Sequence, residues 1–180
     1  KHNGSNFYLH NHQELFDKLI ENEKKQQKTI LIGVSFALLD FASKYKLPFN
    51  YTQIIETGGM KGRGKELTRQ ELHSILQNSF GPKPIHSEYG MTELLSQAYS
   101  TKDGVFHCPP WMKIMIRDVY DPFTFLPIKQ KGGINIIDLA NIYSCSFIET
   151  QDIGQIFEDN SFEINGRIDQ SQIRGCNLMI

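Results

Sequence analysis

The chain has 180 residues, of which 39% are hydrophobic and 11% aromatic, and its formal net charge is -1. That is enough apolar material for one globular domain or two small lobes, and it excludes an intrinsically disordered chain. The near-neutral balance argues against a general nucleic-acid binder, no apolar run reaches the length of a membrane span, and no signal peptide is recognisable.

The sequence opens at Lys1, and "KHNGSNFYLHNH" is polar without a hydrophobic period, so the expectation is a fragment of a longer polypeptide. Leu15, Phe16, Leu19 and Ile20 then recur at helical spacing and predict an amphipathic helix over 13–27. "KTILIGVS" reads as a buried strand, and "FALLDFASKY" returns to the helical period until Pro48 ends it. "TQIIETGG" is a second buried strand, stopped by Gly58 and Gly59. Thr68, with Glu71 three residues on, forms a capping box that opens a helix through Leu72, Ile75 and Leu76, ending near Gly81. "KPIHSEYG" is a third strand, and a helix is expected to begin just after it. This β-α-β-α-β order predicts a parallel sheet with flanking helices.

After residue 103 the pattern changes. "GVFHCPP", "WMKIMIRDVY", "GGINIIDLA", "CSFIET", "GQIFED" and "SFEING" are short strand candidates with no helix-period segment between them. The expected fold class is therefore α/β, a parallel sheet with helices over 1–103, followed by a smaller antiparallel, barrel-like β lobe over 104–180. Trp111, beside Pro109 and Pro110, is expected to pack between the two lobes.

Several stretches carry chemistry. In an open α/β sheet, ligands bind beyond the carboxyl ends of the strands, where "ETGGMKG" and "SEYGMTE" both fall. Glycines there allow close backbone approach, a threonine hydroxyl can donate to a phosphate oxygen, and a glutamate can hold Mg²⁺ together with phosphates. Thr92 can equally be the N-cap of a following helix. "GGMKGRGKE" fails the phosphate-loop pattern because Glu66 follows Lys65, and it reads equally as a basic surface loop. Asp152 in "IETQDIG" precedes a glycine turn; it can accept both hydroxyls of a ribose or simply cap the turn. "GRIDQSQIRG" places Arg167, Asp169 and Arg174 between two glycines, a pattern that also suits a charged hairpin.

The six histidines show no metal-ligand spacing and are expected to be structural or exposed. Three cysteines, Cys108, Cys145 and Cys176, are too few and too scattered for a disulfide framework, which fits a reducing cytoplasm.

In order, these motifs resemble one family. "YGMTE" is similar to the Tyr-Gly-x-Thr-Glu motif of adenylate-forming acyl-activating enzymes, "TQDIG" resembles their Thr-Gly-Asp motif, and "GRIDQSQIRG" their hinge motif. Asp152 and Arg167 stand fifteen residues apart, as in that family, and "TGGMKG" falls where the family has its adenine-side glycine turn. "TGGMKGRGKELTRQEL" and "QIRGCNLMI" look most like the acyl-protein synthetase branch of the bacterial bioluminescence fatty acid reductase complex, with phenylacetate-CoA ligases more distant.

The resemblance implies part of an acyl-CoA-synthetase-like large domain using ATP and Mg²⁺. It would activate a fatty or other carboxylic acid as the acyl-adenylate and pass the acyl group to a thiol. It also implies roles. Gly58, Gly59, Tyr89, Gly90, Thr92, Asp152 and Arg167 would bind the nucleotide, with Tyr89 on adenine, Thr92 on the α-phosphate, Asp152 on the ribose and Arg167 on ribose or phosphate. Glu93 would bind Mg²⁺. Thr92, Glu93, Arg167 and Cys176 would form the catalytic set, Cys176 as acyl acceptor or, equally, as a small buried hydrophobe. The implied partner is an acyl-CoA reductase or transferase protein. A CoA ligase, a non-catalytic nucleotide-binding module and a plain structural α/β domain remain the alternatives, since Gln151 replaces the family's glycine and no phosphate loop precedes Gly58.

Overall fold

Leu15, Phe16 and Leu19 line one side of the first helix because positions three and four apart share a helical face. In the computed structural model, which describes residues 5–58 and 67–168, that helix is α1 (His12–Lys24). Strand β1 (Thr29–Val34) follows, then α2 (Ser35–Lys44), β2 (Thr52–Thr57) and α3 (Arg69–Phe80). β1 and β2 are parallel, in register from Thr29 opposite Thr52 to Val34 opposite Thr57, as the β-α-β order predicts. The capping box of α3 is formed as expected: the Glu71 amide donates to Thr68 Oγ1 at 3.2 Å and the Thr68 amide donates to Glu71 Oε2 at 2.8 Å.

The contacts divide the chain into two compact units, 1–86 and 87–180. The core of the first gathers around Phe41, whose ring meets those of Phe16, Tyr45 and Phe80. Phe49 stacks on Phe80 at 5.2 Å, and Leu76 is fully buried beside them. Each such side chain contributes about 1.5–3 kcal/mol by leaving water.

The second unit is built from strands. β3 (His86–Tyr89) starts at the division, followed by β4 (Ala98–Ser100), β5 (Val105–His107), β6 (Met112–Arg117), β7 (Gly132–Asp138), β8 (Phe147–Ile156) and β9 (Phe162–Arg167). Their spatial order is β3-β4-β5-β9-β8-β7-β6, and neighbours in that order pair antiparallel. The structure thus has the expected mixed α/β class, with an antiparallel part beginning at β3 rather than after residue 103. Alternation puts Ile114 and Ile116 of β6, Ile134 and Ile136 of β7, and Phe106 and Phe162 of β5 and β9 into one core.

Two expectations are corrected. No helix follows Tyr89: residues 91–97 make a turn, in which the Leu94 amide donates to Met91 O at 3.1 Å, and the chain returns antiparallel as β4. Thr92 is therefore not a helix cap. "CSFIET" and "GQIFED" are not two strands around a glycine turn: their residues 147–150 and 154–156 belong to the single strand β8, with Asp152 in its interior. Gly154 does not turn the chain; it marks the register shift between β8 and β9, where a Cβ would sit 2.4 Å from Glu163 O.

The β7–β8 ladder also shifts register, between Gly133 and Asn135, and a buried cation fills the irregularity. Arg117 is only 4% exposed. It donates to Ile134 O, Asn135 Oδ1 and Thr150 O at 3.3, 3.0 and 2.9 Å, and it faces Glu149 Oε1 at 3.0 Å. Gly133 is what admits it: a Cβ there would stand 2.2 Å from Arg117 Nη1. Gly133→Ala is expected to lower the unfolding free energy by about 1–3 kcal/mol through this overpacking. Urea titration of the chain measures it; an unchanged midpoint would show that the guanidinium does not occupy this place.

Candidate functional site

The bulge beside Arg117 also sets the direction of Asp152. Thr150 Oγ1 donates to Ile134 O at 2.8 Å and accepts from the Asp152 amide at 3.1 Å, so the backbone leading into Asp152 is pinned. Across the β8–β9 ladder Asp152 pairs with Arg167, whose Nε lies 3.4 Å from Oδ1. Oδ2 accepts from the Tyr89 hydroxyl at 2.8 Å. Three sequence-predicted residues, 63 and 15 positions apart along the chain, thus meet around one carboxylate. The two cationic and phenolic partners differ in setting: the Arg167 side chain is 73% exposed, whereas Tyr89 is buried, with its ring edge-on to Phe106 and Phe162. Burial, followed by the charge and hydrogen bond of Asp152, raises the Tyr89 phenol well above its ordinary pKa, so it stays a donor.

The turn after Tyr89 carries the next pair. Thr92 and Glu93 are both exposed, and Thr92 Oγ1 donates to Glu93 Oε2 at 3.3 Å. Gly90 leads into this turn; a Cβ there would touch Gln97 Cγ at 3.1 Å. The turn is fixed from below. Asn141 Nδ2 donates to Glu93 O at 2.8 Å, and the Leu95 and Ser96 amides donate to Asp138 Oδ2 at 3.0 and 2.9 Å. Trp111, half-exposed, donates its Nε1 to Ser96 Oγ at 2.9 Å.

Gly58 belongs to the first unit. It ends β2 with φ +66, a left-handed backbone that glycine adopts without cost. Its carbonyl lies 2.9 Å from Ser35 Oγ, which also lies 3.1 Å from Glu56 Oε2. Glu56 is buried and faces His73 Nε2 at 3.6 Å and Arg69 Nε at 3.8 Å. Burial, and then the neighbouring His73, lower the His86 pKa. Gly59, the basic stretch Lys61–Lys65, Asp169, Arg174 and Cys176 lie outside the described residues.

Among the described residues no three His, Cys, Asp or Glu side chains cluster as a metal site. Glu93 is an exposed lone carboxylate, a donor set that suits Mg²⁺ only where phosphate oxygens and water complete the shell. No described helix is long and apolar enough to cross a membrane. Cys108 is partly buried, which pushes its thiol up to about 11, and Cys145 is exposed.

Arg117, Asp138 and Asn141 belong to none of these motifs. Asp138 does leave a trace: it follows Ile134 and Ile136 at the same two-residue spacing, so an acid stands in phase with the core positions of its strand.

No protein-family model matches the sequence, and no curated protein does. Solved structures match its fold. ATP-bound MatB from Rhodopseudomonas palustris superposes with a TM-score of 0.61 at 18% identity, over 84% of this chain and 33% of that one. O-succinylbenzoate coenzyme A synthetase (MenE) from Bacillus subtilis, in complex with AMP, gives 0.56 at 19%, over 85% and 34%. The amide bond synthetase McbA from Marinactinospora thermotolerans gives 0.58 at 16%, over 85% and 34%. The chain spans about a third of the length of these structures and has the fold of the corresponding part of acyl-CoA-synthetase-like, adenylate-forming enzymes.

Two outcomes are expected. Tyr89→Phe removes a donor to a largely buried carboxylate and should cost about 1.5–3 kcal/mol of stability in urea unfolding. Asp138 should make the chain acid-sensitive. Burial alone would raise its pKa, but its donors from Ser96, Leu95 and Ala140 win and hold it below the ordinary aspartate value. A carboxyl lowered in the folded state contributes fully above its unfolded value, and the contribution is lost as pH falls through the folded value. Urea midpoints should therefore decline through the range below about pH 4, and Asp138→Asn should flatten that part of the decline.

Proposed function

We propose that this chain is part of an ATP-dependent, adenylate-forming ligase. The reaction joins a carboxylate to the α-phosphate of ATP, forming the acyl-adenylate and releasing pyrophosphate; a thiol then takes the acyl group and AMP leaves. The observation that carries the reading is the convergence of Tyr89, Asp152 and Arg167, which come from three separate motifs of that family, in a chain that has its fold. The proposed acid is a fatty or other carboxylic acid, the proposed metal Mg²⁺ on Glu93, and the proposed acceptor Cys176, with an acyl-CoA reductase or transferase as partner in the cytoplasm. A carboxylate with one hydrogen-bonded and one ionic neighbour suits vicinal ribose hydroxyls, which can replace the Arg167 contact at Oδ1 while Tyr89 keeps Oδ2 in place.

A CoA ligase is the second reading, favoured by the likeness to an enzyme named as a coenzyme A synthetase. Product that depends on CoA, with no covalent acyl-protein, would select it.

The test is calorimetric binding of a non-hydrolysable acyl-adenylate analogue to the chain. Asp152→Ala should weaken it by about tenfold or more, the effect of about 1.4 kcal/mol or more of lost binding. Absence of binding, or equal binding by the variant, would overturn the reading.

A further inference from the structure

Asp138 is fully buried, and most of its hydrogen bonds point at one turn. Oδ2 accepts from the Leu95 and Ser96 amides, and Oδ1 accepts from Ser96 Oγ at 2.7 Å and from the Ala140 amide at 3.1 Å. Asp138 ends β7 and caps the short 3₁₀ turn Leu139–Asn141, and Asn141 of that turn donates to Glu93 O. Backbone groups at positions 93, 95 and 96 are thereby all tied to residues 138–141. A buried carboxylate without partners costs several kcal/mol, so this arrangement is held to one geometry rather than to many.

We propose that Asp138, acting with Asn141, is a positioning residue that presets the Thr92–Glu93 turn for a metal-bound polyphosphate. The inference rests on the adenylate-forming reading above. Among the described residues the Thr92 and Glu93 side chains hydrogen-bond only with one another, so their placement comes from the backbone that carries them. Preset ligands cost no reorganisation when a highly charged group arrives, whereas a loose turn must be ordered at that moment. Asp152, Arg167 and Tyr89 hang from β8, β9 and β3, and none of them is bonded to Asp138. Contacts to the nucleoside and contacts to the phosphates are therefore supported by separate networks, and a defect in one is separable from a defect in the other.

The experiment compares the chain and its Asp138→Asn variant for binding of adenosine and of Mg-ATP. An asparagine amide would face either the Leu95 and Ser96 amides or the Ala140 amide, donor against donor, without a change of size; only Ser96 Oγ could turn to accept from it. Affinity for Mg-ATP is expected to fall about tenfold, and affinity for adenosine to stay within about twofold. Loss of both ligands by a folded variant, in equal measure, would show a general structural role and overturn the inference, as would unchanged Mg-ATP binding. If Asp138→Asn does not fold, Asn141→Ala removes the Glu93 tether with fewer bonds lost; a smaller shift in the same direction, of about threefold and confined to Mg-ATP, supports the inference, and no difference between the ligands overturns it. If the unaltered chain binds neither ligand, the adenylate-forming reading itself fails and this inference with it. Binding of both ligands without the split sinks the inference alone.

Discussion

The buried carboxylate of Asp138 is the constraint around which the rest of the second unit is arranged. A charge with no access to water must collect donors, and those within reach are two amides and a hydroxyl of the 91–97 turn and an amide of its own 3₁₀ turn. Ser96 is drawn in twice, as donor to Asp138 and as acceptor from Trp111, the residue that leads into β6. The connection between β3 and β4 and the β6 end of the strand order are thus brought together by side chains. Each bond is modest by itself, about 1 kcal/mol for a neutral pair and more for one to a charge. Their combined effect is geometric: the segment carrying Thr92 and Glu93 has few ways to move without stranding a buried charge.

A second buried charge does the same for Asp152. Arg117 occupies a break in the β7–β8 ladder and takes over carbonyls that the ladder leaves aside. The register shift is therefore stabilised, and the strand emerging from it carries Asp152 between the phenol of Tyr89 and the guanidinium of Arg167. Bulges commonly re-aim a side chain in this way. Here the bulge, the glycine that makes room for the guanidinium and the threonine that pins the next amide form one device. Charges that look unfavourable as core residues are what set the direction of the candidate nucleotide contacts.

The legible part of the sequence was the part written in local chemistry. The 3.6-residue period gave α1 and α2, the Thr68–Glu71 pair gave the start of α3, and short apolar runs gave β1 and β2, although β1 is not the buried strand expected, since Ile30 and Ile32 are exposed. Motif order pointed to Tyr89, Asp152 and Arg167. The misreadings came where local signals are ambiguous. Gly-Met-Thr-Glu after a strand suits a helix start as well as a turn, and the turn won because the following Leu94, Ala98 and Ser100 bury in the strand core. Gly154 in "QDIG" suggested a reversal, but it serves a close approach between β8 and β9, which a sequence cannot distinguish from a turn glycine.

What the sequence determined by itself is the set of elements and the side chains available to them: an α/β segment, an antiparallel β segment, and a tyrosine, an aspartate and an arginine in three separate motifs. The elements follow from propensity and period, which act over a few residues, and the three side chains from the resemblance of their motifs to those of one family. Only the tertiary structure decided that these three side chains meet, that Asp138 and Arg117 are buried, and which turn they hold. The reason is physical: burial and strand pairing join positions tens of residues apart, and whether a charged side chain faces water or a ring of donors depends on the register of strands that no local pattern specifies.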